Sequence, residues 1–174
     1  CAGTQGNPGV STGVRADDAY ARLENNRIYG YLATDCNCGA GSSGNPSASH
    51  GLRVFLKSGA HEVDVHSNDI DAAGPPPGGI AACNGRGVLV DLVAGAVMAK
   101  QGIFRNNILR AGTCMTSRYN FLEALAGADP RIVENNDFDP AGTPTALYFD
   151  ESVNAIMAVS GINQLADITT SGNI

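Results

Sequence analysis

The feature that most constrains this chain is a short motif that returns along its length. An apolar residue, two polar residues, an asparagine, one further residue and a second apolar residue stand at Leu23-Glu24-Asn25-Asn26-Arg27-Ile28 and at Val65-His66-Ser67-Asn68-Asp69-Ile70. The pattern returns at Phe104-Arg105-Asn106-Asn107-Ile108-Leu109 and Val133-Glu134-Asn135-Asn136-Asp137-Phe138, and Thr170-Ser171-Gly172-Asn173-Ile174 runs into a fifth copy. The shared asparagines, Asn26, Asn68, Asn107, Asn136 and Asn173, are spaced by 42, 39, 29 and 37 residues. The repeat is therefore constant in its core and variable in its loops, as stacked repeats are.

Apolar residues on both sides of each asparagine can share one interior only if the strand turns a corner between them. Asparagine tolerates the left-handed backbone that a sharp corner needs, and its amide can bond to the backbone of its own or a stacked turn. The five asparagines are therefore read as a structural corner ladder, with the bend at each asparagine itself. Ahead of the corner, Gly51-Leu52-Arg53-Val54-Phe55-Leu56, a Ser58-Gly59 turn and Val63-Asp64-Val65 read as two strands of one winding. The winding from Gly51 to Ile70 resembles the right-handed parallel β-helix repeat of pectate-lyase-like and many extracellular bacterial proteins. The resemblance covers nearly the whole chain. It implies an all-β solenoid of about five coils with long corner loops, forming one domain over residues 1–174. Enzymes, adhesins and rods share this fold, so function has to come from particular side chains.

The composition suits one continuous core. Of 174 residues, 43% are hydrophobic and 22 are glycine, which excludes a wholly disordered chain. Eleven basic residues against seventeen acidic give a net charge of -6, without any cluster of Lys or Arg. A nucleic-acid surface is therefore disfavoured, as is attraction to anionic lipid. No apolar run is long enough to span a bilayer, so membrane insertion is not expected. Five cysteines, Cys1, Cys36, Cys38, Cys83 and Cys114, make an odd count in a chain whose small residues and low charge suggest an extracellular or cell-surface setting. Disulfides, with one thiol left over for a bond between subunits, lead over metal ligation and plain buried thiols. Cys36-Asn37-Cys38 is too closely spaced for a zinc knuckle.

Along the chain, Gly9-Val10 and Gly13-Val14 read as the second half of a coil already under way, and Tyr29 to His50 reads as a surface insertion. Pro75-Pro76-Pro77 marks a corner loop, because proline cannot donate to a strand ladder. Val88 to Val93, Tyr119 to Ala126, Ala146 to Phe149 and Ala155 to Val159 read as successive strands, and Gly161 to Ala166 as one helical turn. Stacking the motifs in register turns each position into a column. One column runs Tyr29, Asp71, Arg110, Asp139 and sets Arg110 between two carboxylates; another runs Glu24, His66, Arg105, Glu134. Alternating charge favours this register, since like charges directly opposed are destabilising.

A groove of Asp69, Asp71, Asp137 and Asp139 is the arrangement that calcium or a sugar acid requires in the lyases the chain resembles. Ile108 interrupts it, so the charge ladder of Asp71, Arg110 and Asp139 is the preferred reading and calcium stays an open alternative. No catalytic residue and no metal ligand is assigned. His61 and His66 are read as exposed side chains.

Neither end of the sequence carries a recognisable cap, although a bare coil exposes unpaired backbone groups and core. Asn173-Ile174 read on into Cys1-Ala2-Gly3-Thr4 resembles Asn107-Ile108 running on to Ala111-Gly112-Thr113. Three explanations stand: a piece of a longer β-helix, a subunit that stacks head to tail by strand addition, or a lipoprotein anchored at Cys1. The expectation is an extracellular structural or adhesive module with uncapped ends, not an enzyme. Its partners are copies of itself end to end, with polysaccharide second. A polysaccharide lyase, hydrolase or sugar-binding protein of the same fold is the alternative.

Overall fold

The repeated motif becomes pairs of short strands separated by a left-handed corner, and the segment between motifs supplies a longer strand. The computed structural model describes residues 10–17, 20–30, 47–56, 62–73, 83–92, 102–113, 117–125, 127–151 and 153–174. Cys1, Cys36, Cys38 and Cys114 lie outside these residues, as do His61, the Pro75-Pro76-Pro77 loop and the side chain of Cys83.

The chain visits three sheets in turn. The first passage is β1 (Val10–Asp17), β2 (Ala21–Glu24) and β3 (Arg27–Tyr29); the second is β4 (Ser47–Leu56), β5 (Val63–His66) and β6 (Asp69–Asp71). The third is β7 (Cys83–Leu92), β8 (Ile103–Arg105) and β9 (Ile108–Arg110); the fourth is β10 (Ser117–Glu123), β11 (Ile132–Glu134) and β12 (Asp137–Phe138). Then come β13 (Ala146–Asp150), β14 (Asn154–Ile156), a short helix α1 (Val159–Ile162) and β15 (Thr169–Ser171). The sheets are ordered β1-β4-β7-β10-β13-β14, β2-β5-β8-β11-β15 and β3-β6-β9-β12. Every pairing is parallel except β13 with β14. The protein is all-β with mostly parallel sheets.

Register turns the motif into columns of core. Leu23, Val65, Phe104 and Val133 stand in line across the second sheet. Ile28, Ile70, Leu109 and Phe138 do so across the third, and Val14, Leu52, Val88, Phe121 and Tyr148 across the first. Like packs on like: Phe121 and Tyr148 stack with ring centroids 4.8 Å apart, and Phe104 meets Phe121 edge-on at 5.0 Å. Aromatic pairs in these geometries add to the burial of their area.

The left-handed residue at each corner is not the shared asparagine. Asn25, Ser67, Asn106 and Asn135 take φ between 54° and 58°, and Gly172 takes 62°. The residue ahead of the ladder position makes the bend, which leaves the shared asparagine free to aim its amide along the stack. The long strands also bend, at a column of Gly13, Gly51, Gly87 and Asn120. A Cβ at Gly87 would lie 2.6 Å from the Asn120 carbonyl oxygen and 2.7 Å from that of Arg110, so no side chain fits between these backbones. Where the column reaches Asn120, its Nδ2 instead donates to the carbonyls of Leu109 and Asp139, each at 2.8 Å. Gly87→Ala is expected to cost about 2–4 kcal/mol, read as a lower denaturation midpoint with unchanged m-value.

Two expectations change here. Ser47 to His50 belong to β4, and Ala48 to His50 pair with Val10 to Thr12, so the insertion after Tyr29 ends sooner than its composition suggests. Ala155 to Val159 do not open another parallel passage. β14 folds back antiparallel on β13, and α1 follows, with Ile162 and Ile168 buried in the core and Ile156, Val159 and Leu165 packed against it. The expected uncapped end is thus corrected downstream, where residues 154–168 lay five apolar side chains, Ile156, Val159, Ile162, Leu165 and Ile168, in or against the core. No helix is long and apolar enough to cross a membrane among the described residues.

Candidate functional site

The shared asparagines form an unbroken chain of side-chain hydrogen bonds. The backbone N–H of Asn26 donates to Asn68 Oδ1 at 2.9 Å, that of Asn68 to Asn107 Oδ1 at 3.0 Å, that of Asn107 to Asn136 Oδ1 at 3.0 Å and that of Asn136 to Asn173 Oδ1 at 2.9 Å. Each Nδ2 follows the same path, donating to the next Oδ1 at 2.9 to 3.2 Å. From Asn68 onward each Nδ2 also reaches back to the preceding level, to the carbonyls of Leu23, Val65, Phe104 and Val133. The donors and acceptors of Asn68, Asn107 and Asn136 are thereby satisfied although the residues are buried. Asn163, just past α1, ends the series: its Oδ1 accepts from Asn173 N and Nδ2 at 3.2 and 2.8 Å. Asn163 lies outside the repeated motif, so periodicity gives no sign of it.

The predicted charge ladder forms with one member exchanged. Arg110 Nε donates to Asp139 Oδ2 at 2.9 Å, but its Nη1 pairs with Asp69 and not with Asp71. Asp71 turns to the backbone N–H of Ala73 at 2.7 Å, and burial pushes its carboxyl up from the usual range. A long guanidinium reaches the diagonal neighbour, which simple column order does not capture. In the other column Arg105 pairs with Glu134 at 3.1 Å. His66 is half-buried against Asp64, which corrects its reading as an exposed side chain. Asp69, Ile108 and Asp137 stand in register, so an apolar residue divides the carboxylates as the sequence implies.

Carboxylates gather instead at the downstream end. Oxygens of Asp129, Glu151 and Asp167 lie within 4.8 Å of one another, and a hard divalent cation or shared protons are what such a group can take. Nearby, Glu123 of β10 is fully buried; Tyr148 Oη donates to its Oε1, and the Glu151 N–H donates to its Oε2 at 3.1 Å. Burial pushes Glu123 up to about 8 against these two bonds, and Asp150 and Asp129 add to the rise. Tyr148 is driven well above its ordinary range by burial and by Glu123. None of these carboxylates stands in the repeated motif.

A fourth feature lies on the outer face of the first sheet. Leu52, Val54 and Leu56 face the core, and the Ser49 hydroxyl donates to the Ala72 carbonyl at 2.5 Å. Alternation breaks at Gly51, so His50 and Arg53 reach the same outer groove although two residues stand between them. His50 pairs in register with Arg86, and Phe55 with Asp91. Arg86 Nη1 donates to His50 Nε2 at 3.0 Å, which places the ring proton on Nδ1. Arg53 Nη2 meets Asp91 Oδ2 at 2.5 Å. Burial first, then Arg86 and Arg53, pull His50 down to about 3, so its imidazole is neutral at physiological pH. The only signal of this site in the sequence is the glycine after His50.

Comparisons with protein-family models, with curated proteins and with solved structures found no match to the chain.

Proposed function

We propose that the chain is a right-handed parallel β-helix that serves as a structural or adhesive module at an extracellular surface. One observation carries this reading: the asparagine ladder joins five levels from Asn26 to Asn173 without a gap. It stands beside three sheets whose strands, β14 excepted, run in the same direction. Parallel strands joined by crossovers are right-handed in nearly all cases. Opening one level breaks several backbone and side-chain bonds together, a property that resists extension and proteolysis. The cysteine count and the abundance of small residues favour the oxidising exterior. Copies of the same chain are the partners proposed, through the strand edges of β1, β2 and β3, since the downstream core is covered.

Negative-stain microscopy with timed proteolysis tests this, run alongside incubation with acidic polysaccharide and calcium. Rod-shaped particles, joined in pairs at one end, that are cleaved slowly and leave the polymer intact are expected. A monomeric particle that shortens the polymer would replace the structural reading with a carbohydrate-active one.

A further inference from the structure

The groove beside the Gly51 bend has a volume of about 270 Å³, and its polar wall consists of His50, Arg53, Arg86 and Asp91. Leu89 and Leu122 form part of its apolar lining. Two guanidiniums face one carboxylate and a neutral imidazole, so the lining carries one surplus positive charge. That surplus resides on Arg86. Asp91 is already engaged by Arg53, and Arg86 has no carboxylate partner among the described residues. His50 Nδ1, Arg53 Nε and Arg86 Nε are buried and have no hydrogen-bond acceptor among the described residues, an arrangement that folded proteins seldom leave without a purpose.

We propose that this groove binds a small organic monocarboxylate, with its carboxylate against Arg86 and His50 and its apolar body on Leu89 and Leu122. A planar guanidinium edge matches a carboxylate in two parallel hydrogen bonds. One surplus charge suits a monoanion better than a phosphate monoester, which brings close to two negative charges at neutral pH. The volume is at the lower end of ligand pockets, so a compact body of a few carbons or one ring is the size accepted. Asp91 beside the site repels a second carboxylate, which sets monoacids above diacids. The inference is independent of whether the chain is a structural module.

The test is titration of the ¹⁵N-labelled protein with benzoate, and in parallel with benzamide and inorganic phosphate at fixed ionic strength. Benzoate is expected to bind with a Kd of about 1 mM or tighter, moving the amide signals of His50 and Arg86. Benzamide, isosteric but neutral, and phosphate should bind at least tenfold more weakly. Arg86→Met is expected to weaken benzoate at least tenfold, whereas Asp91→Asn should bind it as well or better because a competing charge is gone. If Arg86→Met fails to fold, the benzamide and Asp91→Asn comparisons still decide. No shift with benzoate, equal shifts with benzamide, stronger binding of phosphate, or unchanged binding by a folded Arg86→Met would each overturn the proposal.

Discussion

Asn107→Ala is expected to destabilise the protein by about 3–5 kcal/mol, while Asn26→Ala should cost no more than about 1 kcal/mol. Asn107 is buried; its Oδ1 accepts from both the N–H and the Nδ2 of Asn68, and its Nδ2 donates to Val65 O and Asn136 Oδ1. Alanine strands donors on Asn68 and an acceptor on Val65 where water cannot reach, and each buried unsatisfied group costs about 1–3 kcal/mol. Asn26 makes the same kind of bond to Asn68, but it is exposed, and water can take over what its side chain releases. Asn107→Asp should be at least as harmful as alanine at neutral pH, because the carboxylate turns two donated bonds into contacts between acceptors. Denaturant melts of the three variants measure this order. Equal costs at Asn26 and Asn107 would mean that the side chains are bystanders to backbone pairing.

Glu123→Gln is expected to gain stability over the wild type as pH rises. In the unfolded chain Glu123 titrates near the ordinary 4.5, and in the folded protein near 8. Below pH 4.5 both states hold the proton and the group contributes no pH dependence. Between 4.5 and 8 the unfolded chain releases the proton while the folded chain keeps it, so wild-type stability falls by about 1.4 kcal/mol per pH unit. Glutamine has no proton to release, and the difference between variant and wild type should grow by about 5 kcal/mol across that window. His50 works in the opposite sense. Its folded value near 3 lies below the ordinary 6.5, so its contribution is full above pH 6.5 and is lost as pH falls toward 3. The two slopes oppose each other between 4.5 and 6.5. Paired melts of wild type and Glu123→Gln at several pH values isolate the Glu123 part, and a constant difference from pH 4.5 to 8 would show that the carboxyl titrates normally.

What the sequence reveals here follows from periodicity. The strands flanking Asn26, Asn68, Asn107, Asn136 and Asn173 are legible because apolar residues recur at fixed offsets from a polar marker. The parallel pairing follows, since identical motifs stack on themselves. The left-handed corner is off by one because Asn25, Asn106 and Asn135 are also asparagines, and the motif alone does not say which of two neighbours bends. The downstream cover is hidden for a different reason. Residues 154–168 occur once: Ala155 to Val159 read as one more strand and Gly161 to Ala166 as a helical turn, and without a repeat nothing marks Ile162 and Ile168 as side chains that enter the core. The groove at Gly51 and the buried Glu123 escape sequence reading because both depend on contacts between levels. His50 meets Arg86 across 36 residues, and Glu123 meets Tyr148 across 25.

The most direct measurement of the ladder is hydrogen exchange and cross-relaxation of the asparagine side-chain amides. Stacked as described, the Nδ2 protons of Asn68, Asn107 and Asn136 exchange as slowly as the backbone amides of the core strands. They also show nuclear Overhauser contacts from Asn68 to Asn107 and from Asn107 to Asn136, pairs 39 and 29 residues apart. Side-chain amides that exchange like those of free asparagine, with no contact between levels, would contradict the stacked arrangement on which the fold and its proposed role both depend.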